Sequence, residues 1–152
     1  MNTVQKEKFD IVGIKTRTTN DGSAATDIPA LWNRLMTENI AAKIENKIDG
    51  TIYCLYTGYE GDHTKPYDVI LGYRVSDISS VPSDFTHLHV PASKTSKFTA
   101  KGSLVKGEAV INTWMQIWSA DLNRSFSVDY EVYDERSADM NNAEVDIFIS
   151  LK

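Results

Sequence analysis

The hydrophobic positions of this chain recur with two periods, and each period predicts its own kind of element. Spacings of three and four residues predict two amphipathic helices, the first capped by Asp27 and carrying Trp32, the second carrying Trp114 and Trp118. Alternating or β-branched runs predict strands. The predicted helices cover residues 27–44 and 103–120, and the predicted strands cover 9–18, 51–57, 67–75, 85–90, 93–100, 126–133 and 144–151.

The predicted elements form two similar series on either side of a linker-like stretch at residues 79–83. Each series contains a strand, a helix and two further strands, which predicts pseudo-repeats at about 7–78 and 84–152 within a single domain spanning 1–152. The length of 152 residues also allows only one ordinary domain. The predicted class is α+β, with duplicated β-α-β-β units whose helices cover one sheet face while the opposite faces meet at a cavity.

The last two predicted strands divide their side chains between two faces. In 126–133 the even-numbered residues are apolar or aromatic, whereas the odd-numbered ones include Glu131 and Tyr133. In 144–151 the more polar face carries Phe148. We expect the apolar set of 126–133 beneath the second helix and Glu131 and Tyr133 on the non-helix face. That face is either a cleft or a solvated surface, and the alternation leaves both open.

The net charge and the cysteine content exclude several kinds of partner and site. The formal net charge is −5, from 16 Lys and Arg against 21 Asp and Glu. Because nucleic-acid affinity depends on basic residues that release counterions, we expect no direct nucleic-acid binding. Cys54 is the only cysteine, which excludes an intrachain disulfide and a cysteine-based zinc site, and its apolar neighbours predict a buried side chain.

The sequence contains no clear pattern for a membrane span, a secretion signal, a metal site or a phosphate loop. The chain contains no run of about 18 apolar residues, the length that a membrane-spanning helix requires. Its N-terminal residues also lack the apolar segment of a secretion signal, so we expect a cytoplasmic protein. His87 and His89 share a strand face without a firm third ligand, so no metal site is expected. Residues 102–108 lack the Lys-Ser/Thr of a phosphate loop, and no cofactor is expected.

Five short segments share their order and spacing with a known family. They are Ile28–Trp32, Ile52–Glu60, Trp114–Trp118, Tyr130–Tyr133 and Glu144–Ile149. Together they resemble the GyrI-like, or AraC-type, bacterial effector-binding domain, and most of all its stand-alone branch in integron cassettes and YdeE-like proteins. The resemblance covers about residues 9–151. It implies antiparallel strands that curve towards a barrel, two helices packed outside, and a ligand cleft between the halves.

The resemblance also implies a site. Pockets of this family are typically aromatic-walled, have a Glu near the base and bind lipophilic, often cationic, compounds, and that Glu corresponds to Glu131. Ring faces and a carboxylate in low dielectric both attract an organic cation. Burial predicts a raised pKa for Glu131 or a nearby tyrosine donor. The expected ligand-binding residues are Glu131, Tyr133, Tyr56, Tyr59, Trp114, Trp32 and Phe148, although plain core packing stays open for the tryptophans and is favoured for Trp118.

Three functions follow from this resemblance as hypotheses. The first is a non-enzymatic sensor or sequestering module that binds small lipophilic organic cations. The second is a GyrI-like hydrolase of electrophilic, cyclopropane-type compounds, with Glu131 as general base and Tyr56 or Tyr133 as acid. The third is a protein-interaction module. Relatives fused to a DNA-binding helix-turn-helix act as regulators, so we expect any regulatory output here from a separate regulator chain, and an exposed strand edge could support a homodimer.

Overall fold

The sequence folds into eight strands and three α-helices in a computed structural model that describes residues 2–152. The strands are β1 (Asn2–Lys6), β2 (Phe9–Thr18), β3 (Lys47–Thr57), β4 (Tyr67–Val75), β5 (Thr86–Val90), β6 (Ser93–Gly102), β7 (Asp129–Tyr133) and β8 (Ala143–Ser150). The helices are α1 (Ala24–Thr37), α2 (Ile40–Lys43) and α3 (Glu108–Ser119), and a 3-10 turn covers Glu135–Ser137. None of the helices in this described part is long and apolar enough to cross a membrane.

All eight strands belong to one antiparallel sheet in the order β1-β6-β8-β7-β3-β4-β2-β5. The first half of the chain, before residues 79–83, and the second half after them meet at the centre, where β3 pairs with β7. At the two edges the halves exchange strands, because β1 pairs with β6 and β5 pairs with β2. The α+β class and the antiparallel sheet with its helices are confirmed, whereas the exact repeat boundaries stay a prediction.

The sheet curls towards one of its faces. The ring centroids of Phe9 in β2 and Tyr130 in β7 are 5.2 Å apart, although β4 and β3 lie between these strands. Gly13 and Gly72 face each other in the β2–β4 pair, and a Cβ at either position would collide with the opposite backbone. We call the side enclosed by the curl the inner face. Its buried side chains are Phe9, Ile11, Leu55, Ile70, Val90, Val128, Tyr130 and Phe148.

The helices cover the other side of the sheet, which we call the helix face. Leu31 and Leu35 of α1 and Trp114 and Ile117 of α3 are buried there, as their three- and four-residue spacing predicts. The sheet contributes a buried row on this side that includes Val12, Cys54, Leu71, Val145, Ile147 and Ile149. Both faces of the sheet are therefore buried, one under helices and the other inside the curl.

The element boundaries differ from the predicted ones at several points. The first helix starts at Ala24, so Asp27 lies in its first turn and is not the N-cap, and it ends at Thr37 before Asn39, whose φ is 50°. The strand predicted from residue 126 starts at Asp129, because Phe126 has a left-handed backbone with φ of 53°. The strand β1 was not predicted, since Asn2–Lys6 is polar and lies at an exposed sheet edge.

Candidate functional site

The central strands place Glu131 on the helix face. Its cross-strand neighbours are Cys54 on β3 and Ile147 on β8, and only 1% of its surface is exposed. The prediction that Glu131 and Tyr133 lie on the non-helix face is therefore wrong. The alternation grouped the residues of this strand correctly, but the curl also buries the other face, and the apolar set around Tyr130 packs there and not beneath the second helix.

Three neutral donors surround the Glu131 carboxylate. Its Oε2 accepts hydrogen bonds from Tyr56 Oη at 2.6 Å and from Trp114 Nε1 at 2.7 Å. Its Oε1 accepts one from Tyr133 Oη at 2.6 Å. Within residues 2–152 no basic side chain lies within salt-bridge distance of this carboxylate. Glu131 is thus a buried acid whose hydrogen bonds are satisfied and whose charge has no counterion.

Burial determines the protonation behaviour of this group. Desolvation raises the pKa of Glu131, and the hydrogen bonds from Tyr133, Tyr56 and Trp114 act against that rise because they favour the charged form. Desolvation also raises the pKa values of Tyr56 and Tyr133 well above their ordinary value, so both phenols stay protonated donors. The expectation of a raised pKa with tyrosine donors is confirmed.

Aromatic side chains from both helices cover this carboxylate group. The ring of Trp32 on α1 meets Tyr133 edge-on at 4.8 Å between centroids, and Trp114 on α3 meets Tyr56 edge-on at 5.1 Å. Trp118, for which core packing was favoured, is 37% exposed and stacks on His63 at 5.5 Å. Five of the predicted residues, Glu131, Tyr133, Tyr56, Trp114 and Trp32, therefore form one connected group, which we call the Glu131 cluster.

Tyr59 belongs to a neighbouring group built around a second buried acid, Asp129. Asp129 Oδ2 accepts hydrogen bonds from Tyr59 Oη at 2.6 Å and from Arg124 Nη2 at 2.7 Å. Its Oδ1 accepts from the backbone N–H of Ser150 at 2.7 Å and from the hydroxyl of the same residue at 3.0 Å. Sequence reasoning did not single out Asp129 or Arg124, and the only available signal was that Asp129 alternates onto the same face as Glu131.

Phe148 does not join the Glu131 cluster, so its predicted place in that site is wrong. The register pairs Tyr130 with Phe148 and Glu131 with Ile147, and side chains of paired residues lie on the same face. Phe148 is therefore on the inner face, where its ring centroid lies 5.2 Å from that of Tyr130.

The remaining candidates for chemistry lie outside or beneath the cluster. His87 Nε2 and His89 Nδ1 both contact Asp10 Oδ1, at 2.8 and 3.0 Å, near the surface. In the described part of the chain, no group of three or more His, Cys, Asp or Glu side chains could hold a metal ion. Cys54 is fully buried beside Glu131, and desolvation raises the pKa of its thiol well above the ordinary value, which disfavours the reactive thiolate.

Comparison by sequence identifies relatives along nearly the whole chain. The family model of the integron-associated effector-binding protein matches residues 3–151. A Bacillus subtilis protein described as a candidate transcriptional regulator, YobU, is 30% identical over 145 residues, which are 92% of this chain and 90% of that protein.

Comparison by structure identifies the same fold. An integron cassette protein from the mobile metagenome of Vibrio cholerae superposes with a TM-score of 0.77 and 26% identity, over 99% of this chain and 95% of the other. The structure of SAV2435 bound to tetraphenylphosphonium superposes with a TM-score of 0.79 and 19% identity, over 99% of this chain and 93% of the other. The predicted resemblance is confirmed.

Proposed function

The chain belongs to the family of integron-associated effector-binding proteins, and on this premise we propose that it binds a small lipophilic organic cation at Glu131. The module then works as a sensor or as a sequestering protein. A cation is bound by SAV2435, which shares this fold, and that observation supports the ligand class. YobU, a relative described as a candidate transcriptional regulator, supports the sensor role.

One observation carries the proposal: the Glu131 carboxylate is buried without a counterion. Three neutral hydrogen bonds recover only part of the solvation that an ionised carboxylate loses on burial. A cation beside Glu131 would restore charge balance in a medium of low dielectric, where the attraction is strong. The rings of Trp32, Trp114 and Tyr133 add cation–π attraction, worth about 0.5–2 kcal/mol for a contact. A neutral ligand gains neither contribution.

The ligand has to enter through the less enclosed side of the Glu131 cluster. Tyr56 and Trp114 are buried, whereas Trp32 and Tyr133 are only partly buried. We therefore place the entrance at the contact between Trp32 and Tyr133, which joins α1 to the central strand β7. Rotation of the Trp32 side chain would open this contact beside Oε1 of Glu131, which keeps Tyr133 as its only donor.

The contacts favour binding over the alternative of hydrolysis. A general base must contact the water that it deprotonates, but Glu131 is only 1% exposed and Tyr56, Trp114 and Tyr133 surround its carboxylate. The protons of Tyr56 and Tyr133 point at Glu131, and the raised pKa values of these phenols make them weak acids. The roles of these residues as catalytic acid and base, like the protein-interaction and homodimer hypotheses, stay predictions from the sequence.

A titration with tetraphenylphosphonium tests the proposal. We expect saturable binding to the wild-type chain, measured by calorimetry and tryptophan fluorescence, and about 100-fold weaker binding to Glu131→Gln, since the substitution removes the charge and preserves the shape. Glu144→Gln removes a carboxylate from the partly exposed ion pair with Lys101 and serves as the matched control, with wild-type affinity. Equal affinity in Glu131→Gln and the wild type would place the cation elsewhere.

A further inference from the structure

We propose that the inner face carries a second ligand site, specific for a small planar aromatic carboxylate. The observation behind it is a cavity of about 380 Å³ on the side of the sheet opposite to Glu131. Its wall includes four aromatic residues, Phe9, Tyr53, Tyr130 and Phe148, three basic residues, Lys6, Arg74 and Arg136, and three acidic residues, Glu7, Asp134 and Asp146. The volume is within the range of small-molecule pockets and suits one or two fused rings.

The aromatic residues form a continuous row. Phe9 meets Tyr130 edge-on at 5.2 Å between ring centroids, and Tyr130 meets Phe148 at 5.2 Å with an angle of 31° between the ring planes. Tyr53 packs on the Phe9 end, at 5.5 Å. Such a row offers a flat aromatic ligand stacking and edge contacts along its length.

Two cations stand over the ends of this row. Lys6 Nζ lies 4.5 Å from the ring centroid of Phe148, and Arg74 Cζ lies 5.4 Å from that of Phe9. Within residues 2–152 neither has a carboxylate within 4.0 Å. Arg136 at the same cavity differs, because Asp134 and Asp146 hold its guanidinium. Lys6 and Arg74 thus carry positive charge that an anion could match.

The wall also contains a hydroxyl group without a partner. Tyr130 is 1% exposed, and its buried Oη forms no hydrogen bond with any described residue. An unpaired buried hydroxyl is unfavourable, and native structures usually satisfy such groups with protein, water or ligand. A carboxylate accepts hydrogen bonds only, so it fits both this donor and the two cations. Lys6 and Arg74 would repel an organic cation that stacked on the rings of Phe148 and Phe9, and an inorganic anion would leave the ring row uncovered.

The second site is separate from the Glu131 cluster. Tyr130 and Glu131 are consecutive on β7 and point to opposite faces of the sheet. The Glu131 cluster requires a positive ligand under the helices, and the inner cavity requires a negative one within the curl. The two proposals therefore depend on different residues and different ligands.

Calorimetric titration with 2-naphthoate tests this site. We expect saturable binding, about tenfold tighter than binding of the neutral analogue 2-naphthamide. Arg74→Gln and Lys6→Gln should each weaken binding of naphthoate by about tenfold. Tyr130→Phe keeps the ring and should weaken it by about fivefold. The control Lys43→Gln removes an equal charge from an exposed position on α2 and should bind as the wild type does.

Several results would overturn the inference. They are an absence of saturable naphthoate binding, equal affinity for 2-naphthamide, and wild-type affinity in any of the three cavity variants. Glu131→Gln separates this site from the proposed cation site. It should bind 2-naphthoate with wild-type affinity, and a loss there would show that the anion occupies the Glu131 cluster, against the inference.

Discussion

Glu131 and Asp129 are two buried acids on one strand and one face, and they are compensated in different ways. Both are at most 1% exposed, and each accepts a hydrogen bond from a tyrosine at 2.6 Å. Asp129 also faces the guanidinium of Arg124 at 2.7 Å, with side-chain exposures of 7% for Arg124 and 0% for Asp129. Glu131 faces only neutral donors. The difference lies in charge balance and not in hydrogen bonding.

This difference separates a structural acid from a candidate binding group. The charges of Arg124 and Asp129 balance, and the further bonds of Asp129 to the amide and hydroxyl of Ser150 join β7 to the end of β8. Glu131 holds the same kind of group at the centre of the sheet, but the protein does not supply the matching cation. A buried charge is normally paired, and the proposed cation site rests on the absence of such a partner at Glu131.

The largest effect should come from breaking the balanced pair. Asp129→Asn leaves the Arg124 charge buried without its partner, and we expect it to lower the free energy of unfolding by about 3 kcal/mol or more. Urea unfolding followed by circular dichroism measures this loss. Glu131→Gln leaves no buried cation without its partner, so it should lower the free energy of unfolding far less at neutral pH. Similar losses in both variants would mean that the two acids do not differ as described.

The second-largest effect should be a pH dependence of the free energy of unfolding that arises from Glu131. Its pKa in the folded chain is raised above the ordinary value of 4.5, so its contribution to stability is fully present below that value and is lost as pH rises through the raised pKa. We expect wild-type stability to fall relative to Glu131→Gln by up to about 1.4 kcal/mol for each pH unit between the two values.

Unfolding of the wild type and of Glu131→Gln at a series of pH values from acid to neutral measures this difference. A stability difference that stays constant over the series would show that the pKa of Glu131 is the same in the folded and unfolded chain. Tetraphenylphosphonium should bind more tightly as pH rises over the same interval, because it favours the ionised carboxylate.

The smallest effect should come from removing one phenol from each acid. Tyr133→Phe takes away the only donor to Oε1 of Glu131, which raises the pKa of that acid further and should weaken tetraphenylphosphonium binding about fivefold at neutral pH. Tyr59→Phe leaves Asp129 with Arg124 and Ser150, so it should cost about 1 kcal/mol of stability without changing cation affinity. Calorimetric titration of both variants distinguishes them, and equal affinities would argue against the assignment of Glu131.

The sequence predicted which residues share a face but not which face is covered by helices. Alternation grouped Glu131 with Tyr133 and separated both from Tyr130, as the structure shows. It placed the apolar group under the second helix because the face with Glu131 was expected to be a cleft or a solvated surface. A curled sheet buries both faces, and the length of an alternating run contains no information about curl, which here accompanies a close approach at Gly13 and Gly72.

Long-range partners account for the other omissions. The strand β1 is polar and gains its structure from pairing with β6, so its own residues give no strand pattern. The pair of Arg124 and Asp129 depends on the turn at Phe126, whose positive φ is not apparent from the residue type. Glu131 was found because its short motif resembles a known family, which supplied the tertiary information that the local pattern lacks.

The exchange of edge strands means that the two halves of the chain complete their sheet only after both have been synthesised. Asn2 pairs with Lys97, so a nascent first half has no partner for β1 until β6 has left the ribosome. The strand β2 can pair with β4 earlier, but its other edge stays open until β5 is made. Closure of the sheet therefore depends on contacts between residues far apart in the chain, which makes folding slower than in folds with local pairing. Recombination that separates the coding regions of the two halves would leave β1 in one protein fragment and β5 in the other without their partner strands.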